Sequence, residues 1–140
     1  MKTVSLVSAV ERNIGDMLEG MHLETDAVIV NQRDPDDGRG IDYETHGTGT
    51  EPDDTEHITA QYGDITVITQ YARGVGLSRN TCIEHAPKCD VLLFTDEDIV
   101  YDRGYSAQIE DEYTAHPYAD ALLFNVRVCE SRRTYWNRDF

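Results

Sequence analysis

The sequence has little positive charge, and this shortage limits the partners that the protein can have. Only 12 Lys and Arg residues accompany 27 Asp and Glu residues, which leaves a formal net charge of −15. Nucleic acids and anionic membranes carry the same sign of charge as this surface, so electrostatic repulsion opposes their binding. We therefore expect no nucleic acid partner.

Long apolar runs and cysteines are also scarce. No run approaches the roughly 20 apolar residues that are needed to span a bilayer, and the N-terminal residues lack the apolar region of a signal peptide. The three cysteines are an odd number, which fits a reducing compartment better than a disulfide framework. We expect a soluble, cytoplasmic protein with no membrane span.

Short apolar runs alternate with amphipathic segments along the 140 residues, a length that suits one domain. The runs predict strands at residues 4–7, 26–31, 90–94 and 120–128, and a β-hairpin whose arms are residues 56–61 and 65–70. Apolar spacings of three and four predict helices at residues 13–22 and 105–115. A third helix is predicted to start at a Ser78 cap and to end near residue 86, with Cys82, Ile83 and Ala86 facing inward.

This order of elements predicts an α/β fold with a mostly parallel sheet and helices on both faces. We expect one domain at residues 1–128, with an acidic loop inserted at 33–55, followed by a C-terminal tail at 129–140. Ligands of such sheets bind beyond the carboxyl ends of the strands. That rule selects residues 8–13, 31–34 and 95–98 as candidate sites.

Asp96, Glu97 and Asp98 follow a strand, at the place where such a sheet positions its ligands. In extended backbone, Asp96 and Asp98 would point to the same side. Two converging carboxylates suit a hard divalent cation such as Mg²⁺ or Mn²⁺. The alternative is a solvated acidic turn without a ligand.

A glycine-containing turn, Gly74-Val75-Gly76, precedes Ser78 and Arg79. Arg79 would lie in the first turn of the helix, where a positive charge is unfavourable unless an anion or a carboxylate compensates it. Helix N-termini also bind phosphate readily. The alternative is a capped helix that carries a surface arginine.

Three segments together resemble family 2 glycosyltransferases of the GT-A fold: residues 74–80 (GVGLSRN), 90–101 (DVLLFTDEDIVY) and 119–126 (ADALLFNV). The strands at residues 4–7 and 26–32 fit the same pattern. The resemblance implies a sugar transferase that uses a nucleotide-activated donor. It also implies that Asp96 and Asp98 hold Mg²⁺ or Mn²⁺ on the donor diphosphate, and that the residues contacting the nucleotide sugar are Ser8, Ala9, Glu11, Asn31, Asp34, Arg79, Asp96 and Glu97.

The same resemblance covers the N-terminal, nucleotide-sugar-binding half of the family's domain. Only 42 residues follow Asp98, so we expect the acceptor-binding half to be missing and assign no catalytic base. Such a half-domain should leave one sheet face uncovered, for a second copy or a partner chain to cover. The expected members of that face are Leu122, Leu123, Phe124 and Val126.

Two other functions remain alternatives. Residues 94–100 (FTDEDIV) also fit the first motif of haloacid-dehalogenase-type phosphatases, with Asp96 as nucleophile and Asp98 as acid/base. That function needs a downstream lysine, and none follows Lys88. A non-catalytic α/β binding module of the receiver type needs acidic residues after the first strand and a lysine after the last, which this sequence does not supply.

Overall fold

The computed structural model describes residues 1–34 and 52–127. Within them the α/β class is confirmed, since strands and helices alternate along the chain. The elements are β1 (Thr3–Val10), α1 (Ile14–Met21), β2 (Asp26–Gln32), β3 (Asp54–Thr59), β4 (Asp64–Gln70), α2 (Val75–Glu84), β5 (Val91–Asp96) and α3 (Tyr105–Ala115).

The five strands form one sheet in the order β3-β4-β2-β1-β5. β1 pairs in parallel with β2 and β5, and β2 pairs in parallel with β4. β3 runs antiparallel to β4, which confirms the predicted hairpin. Four parallel strands therefore end at the same edge of the sheet, and the loops that follow them lie side by side.

Helices α1 and α2 pack on opposite faces of the two central strands. Val7, Ile29 and Met17 belong to the core cluster on the α1 face, whereas Leu6 and Cys82 belong to the cluster on the α2 face. Because successive residues of a strand point to opposite faces, β1 and β2 are buried at nearly every position. This burial on both faces explains the continuous apolar runs in the sequence.

The start of α2 differs from the prediction. The helix begins at Val75 with Gly74 as its N-cap, so a cap at Ser78 is wrong. Gly74 has a φ of 156°, which glycine adopts more readily than other residues and which lets the helix begin earlier. Ser78 is buried within the helix, where its Oγ lies 2.5 Å from the Oγ of Ser8. Arg79 therefore lies in the second turn rather than the first.

The inward face of α2 is also narrower than predicted. Cys82 is fully buried and Ala86 packs against the same cluster, but Ile83 is 44% exposed. Adjacent helical residues are about 100° apart, so Ile83 points away when Cys82 points inward. The inward orientation predicted for Ile83 is therefore wrong.

The strand predicted at residues 120–128 is absent from residues 120–127, and Val128 lies outside the described residues. An apolar run forms a strand only when a neighbouring strand completes its hydrogen bonds, and no described strand pairs with this one. Among the described residues, the exposed apolar side chains of the sheet are Val10 on β1 and Leu92 and Phe94 on β5, rather than the four apolar residues predicted for an uncovered face. Those lie beyond the sheet, and three of the four are exposed: Leu123, Phe124 and Val126.

The predicted division into a domain at 1–128 and a tail at 129–140 stays a prediction, since residues 35–51 and 128–140 lie outside the described part of the chain. The acidic loop is shorter than predicted at its C-terminal end, because β3 already begins at Asp54. Within residues 1–34 and 52–127, no helix has the length and apolar character needed to cross a bilayer.

Candidate ligand-binding site

A cleft of about 390 Å³ opens at the carboxyl edge of the sheet, between α1 and the segment that follows β5. Its lining includes Arg12 and Asp16 from one side, and Glu97 and Asp98 from the other. The cleft therefore joins two of the three segments that the strand-end rule selected. Six of its ten lining residues are polar or charged, so the cleft offers several groups that can contact a charged ligand.

Among the described residues, four arginines lie at this edge of a strongly acidic chain. Each follows a strand or enters the helix after it: Arg12 after β1, Arg33 after β2, Arg73 after β4, and Arg79 within α2. Arginine presents several N–H donors in a planar fork that matches phosphate and carboxylate oxygens. These arginines place positive charge at this edge of a chain whose net charge is negative.

Two of these arginines connect the segment after β5 to other parts of the edge. The Arg12 Nε lies 3.1 Å from the Glu97 Oε1 across the cleft. An Arg79 terminal nitrogen lies 3.8 Å from the Asp96 Oδ1. The side chains of Arg79 and Asp96 are 45% and 57% exposed, so their attraction is screened by water. Such a pair can exchange partners with a ligand at little cost.

The Glu11 carboxylate forms ion pairs with the other two arginines, Arg33 and Arg73. One of its carboxylate oxygens lies 3.7 Å from the Arg33 Nε, and the other lies 3.6 Å from an Arg73 terminal nitrogen. The same carboxylate accepts a hydrogen bond from the backbone N–H of Asp34. Glu11 has a φ of 50°, an uncommon conformation for a residue with a side chain. Strained backbone of this kind is often found at functional sites.

Asp96 is the last residue of β5, and the chain turns immediately after it. The Ile99 N–H donates to the Asp96 carbonyl at 3.3 Å, which closes a turn over Glu97 and Asp98. The extended backbone from which we predicted that Asp96 and Asp98 point to one side is therefore absent. The position of each carboxylate depends on the turn.

Asp96 and Asp98 are suited to one mode of cation binding. Within the described part of the chain, no three His, Cys, Asp or Glu side chains are grouped as a ready-made metal cage. Mg²⁺ rarely needs such a cage, because it keeps several waters and binds through one or two carboxylates together with phosphate oxygens of a substrate. Asp96 and Asp98 offer carboxylates of this kind, and the metal role assigned to them stays a prediction.

Tyr101 lies close to this turn and is unsuited to removing a proton. Burial raises the pKa of its phenol to about 12, although a hydrogen bond with Thr95 acts in the opposite direction. The ring stacks on Tyr105 with 4.1 Å between the ring centroids. Tyr101 therefore stays protonated at neutral pH and supports the turn.

Three of the residues predicted to contact a nucleotide sugar are buried. Ser8 bonds to Ser78, Ala9 has no exposed surface, and Asn31 is 2% exposed. Direct contact between these residues and a ligand stays a prediction, and each also has a packing or hydrogen-bonding role. The other predicted residues lie at the carboxyl edge with exposed or partly exposed side chains: Glu11, Asp34, Arg79, Asp96, Glu97 and Asp98.

Arg12, Arg33 and Arg73 were not among the residues predicted from the sequence. The strand-end rule had selected the segments that contain Arg12 and Arg33, but the residues predicted there were Ser8, Ala9, Glu11, Asn31 and Asp34. Arg73 follows β4, the second arm of the hairpin, and no site was sought after that strand. Applying the rule to basic residues and to every parallel strand would have identified all three.

The mostly parallel sheet and the cleft at its carboxyl edge define an α/β domain with a candidate ligand-binding site. The family model described as glycosyl transferase family 2 matches residues 48–140. The chain therefore belongs to glycosyl transferase family 2, and its function is glycosyltransferase-like. Neither the curated proteins nor the solved structures gave a significant match. Family membership favours sugar transfer over the phosphatase and receiver alternatives.

Proposed function

We propose that this chain binds a nucleotide-activated sugar with the help of Mg²⁺ or Mn²⁺ and takes part in transferring the sugar to an acceptor. The observation that carries this proposal is the meeting of Arg79 and Asp96 at the carboxyl edge of the sheet, in a member of a glycosyltransferase family. A cationic and an anionic group side by side suit a metal diphosphate, which itself contains both signs of charge.

Arginines at the carboxyl edge supply local positive charge on a chain that is negative overall. A chain with a net charge of −15 repels a nucleotide diphosphate at long range. At the edge of the sheet, Arg12 and Arg79 supply positive charge close to the cleft, and both can turn from a carboxylate partner to a phosphate. A dication on Asp96 and Asp98 would add to this local positive charge.

The chemistry of sugar transfer needs such a site. The bond between the anomeric carbon and the diphosphate oxygen breaks, its electron pair stays with the diphosphate, and the acceptor oxygen forms the new bond as its proton passes to a general base or to water. A bound dication would neutralise charge on the leaving diphosphate. Arg79 would stabilise the same charge, because its donors are already in place before the bond breaks. Tyr101 is excluded as the proton acceptor by its raised pKa.

Calorimetry with UDP and with GDP tests this proposal, each in the presence of Mn²⁺, Mg²⁺ or a chelator. We expect at least one of the two nucleotides to bind with the metal and to bind more weakly with the chelator. Equal affinity with metal and with chelator would exclude the metal role. Absence of binding to both nucleotides under all conditions would exclude the donor site itself.

A further inference from the structure

Strand β2 ends in two buried amide side chains, Asn31 and Gln32. Each is only 2% exposed, although the strand before them is apolar. Consecutive residues of a strand point to opposite faces, so the two amides extend to different sides of the sheet. A buried amide is costly unless hydrogen bonds satisfy it. Their partners therefore indicate what these two residues do.

Asn31 binds the loop that follows β1. Its Oδ1 accepts a hydrogen bond from the Arg12 N–H at 3.1 Å, and its Nδ2 donates to the Arg12 carbonyl at 2.9 Å. Both polar atoms of one side chain thus hold the backbone of one residue. Arg12 lines the cleft and pairs with Glu97 on its far side. The Asn31 amide therefore fixes the position of the Arg12 backbone, from which the Arg12 side chain extends.

Gln32 binds the loop that precedes α2. Its Oε1 accepts a hydrogen bond from the Gly74 N–H at 2.7 Å. Gly74 is the N-cap of α2, and no side chain within the helix caps it. The Gln32 carbonyl also accepts the Glu11 N–H at 3.0 Å. Gln32 thus holds the start of the helix that carries Arg79, and it contacts the loop after β1 as well.

We propose that Asn31 and Gln32 are positioning residues, which place the Arg12 loop and the start of α2 at the separation that a nucleotide diphosphate requires. This inference rests on the function proposed above and concerns the same site. The two amides act through the backbone of Arg12 and Gly74, without touching the ligand. The geometry thus assigns Asn31 a role behind the binding surface.

The chain contains a matched control for Gln32. Gln70 lies beside it in the sheet, as its register partner on β4, and is also 2% exposed. Its Oε1 accepts a hydrogen bond from the Thr81 hydroxyl at 3.0 Å, within the body of α2. Residue type, burial and strand position are thus the same. The Gln32 amide oxygen bonds to the backbone at the start of the helix, whereas the Gln70 amide oxygen bonds to Thr81 in the body of the helix.

Calorimetry with Mn²⁺ and UDP or GDP, together with thermal unfolding, should separate the two glutamines. We expect Gln32→Leu to weaken nucleotide binding about tenfold, because the Gly74 N–H loses its acceptor. We expect Gln70→Leu and Gln32→Leu to lower the unfolding temperature by similar amounts. Gln70→Leu should change the nucleotide affinity less than about twofold. Equal losses of affinity in Gln32→Leu and Gln70→Leu would overturn the positioning role.

Hydrogen–deuterium exchange tests the same inference without a ligand. Gln32→Leu should speed exchange at the Gly74 amide, and Asn31→Leu should speed exchange at the Arg12 amide, with little change elsewhere in the sheet. Unchanged exchange at both amides would overturn the inference. If the wild-type chain binds neither nucleotide, the proposed function is wrong, and the exchange measurement alone decides whether the amides position the two loops.

Discussion

Ion pairs at the two ends of the sheet have different partners. At the amino ends of the strands, one Asp26 oxygen lies 3.1 Å from the Lys2 Nζ, and the other accepts the Asp64 N–H at 2.9 Å. At the carboxyl ends, Arg79 and Asp96 form a pair between two side chains that extend from α2 and β5. The amino-end carboxylate is thus tied to backbone on a neighbouring strand, whereas the carboxyl-end pair can separate without disturbing the ladder of the sheet.

This difference indicates which charges hold the fold and which are available to a ligand. Asp90 at the amino end of β5 likewise accepts the Lys2 backbone N–H at 2.7 Å. We expect changes at the amino ends to alter the free energy of unfolding and to leave nucleotide affinity unchanged. Changes at the carboxyl ends should weaken nucleotide binding and leave the free energy of unfolding nearly unchanged.

The largest effect is expected at the carboxyl ends. Asp98→Asn and Arg79→Ala should each weaken metal-dependent binding of UDP or GDP about 10- to 100-fold, because each removes a charge-assisted contact. Both residues are exposed at the surface, so thermal unfolding should stay cooperative. Calorimetry and a melting curve on the same samples check this. Loss of the cooperative transition in either variant would instead assign that residue a structural role.

Gly63→Ala, at the amino ends of the strands, should change the free energy of unfolding and leave nucleotide affinity unchanged. A Cβ at Gly63 would lie 2.7 Å from the Asp26 nitrogen and 2.8 Å from the Thr25 carbonyl carbon, and neither backbone atom can move easily. We expect a loss of about 1–3 kcal/mol in the free energy of unfolding.

Gly20→Ala is the matched control, because a Cβ there meets no atom within 4 Å. It lies in α1 and should stabilise the chain by about 0.5–1 kcal/mol. Denaturant unfolding measures both, and equal stability of the two variants would contradict the steric argument.

The smallest effect concerns Asp26 and depends on pH. The hydrogen bond from the Asp64 N–H, with help from Lys2, lowers the pKa of Asp26 below its ordinary value of 3.8, in spite of partial burial. A carboxyl group with a lowered folded pKa contributes stability above its unfolded pKa and loses it as the pH falls through the folded value. Asp26→Asn should therefore cost less than about 1 kcal/mol at neutral pH, since the pair is partly exposed.

Denaturant unfolding of wild type and Asp26→Asn near pH 7 and near pH 3 checks this. The difference between the two proteins should shrink at the lower pH, because wild type begins to lose its charged contact there. An equal difference at both pH values would show that the Asp26 charge does not contribute through its pKa.

Local patterns predicted some elements well and others poorly. The helix at residues 105–115 has the predicted bounds, because its apolar spacing and its stop before Pro117 are both encoded locally. The start of α2 was misplaced, since it depends on the conformation of Gly74 and on its contact with Gln32, a residue 42 positions away in sequence. The strand predicted at 120–128 required a partner strand, which no local pattern can supply.

The sequence by itself determined the α/β class and the place of the acidic residues at the end of β5, because alternating periodicities and an apolar run that ends before Asp96 are properties of neighbouring residues. Only the tertiary structure decided which side chains meet at the carboxyl edge. Arg12 meets Glu97 and Arg79 meets Asp96 there, because parallel pairing brings the carboxyl ends of β1 and β5 to the same edge. The same pairing buried Asn31 behind the cleft, where its amide holds backbone. Contacts of this kind depend on the register between strands, which residues far apart in sequence establish together.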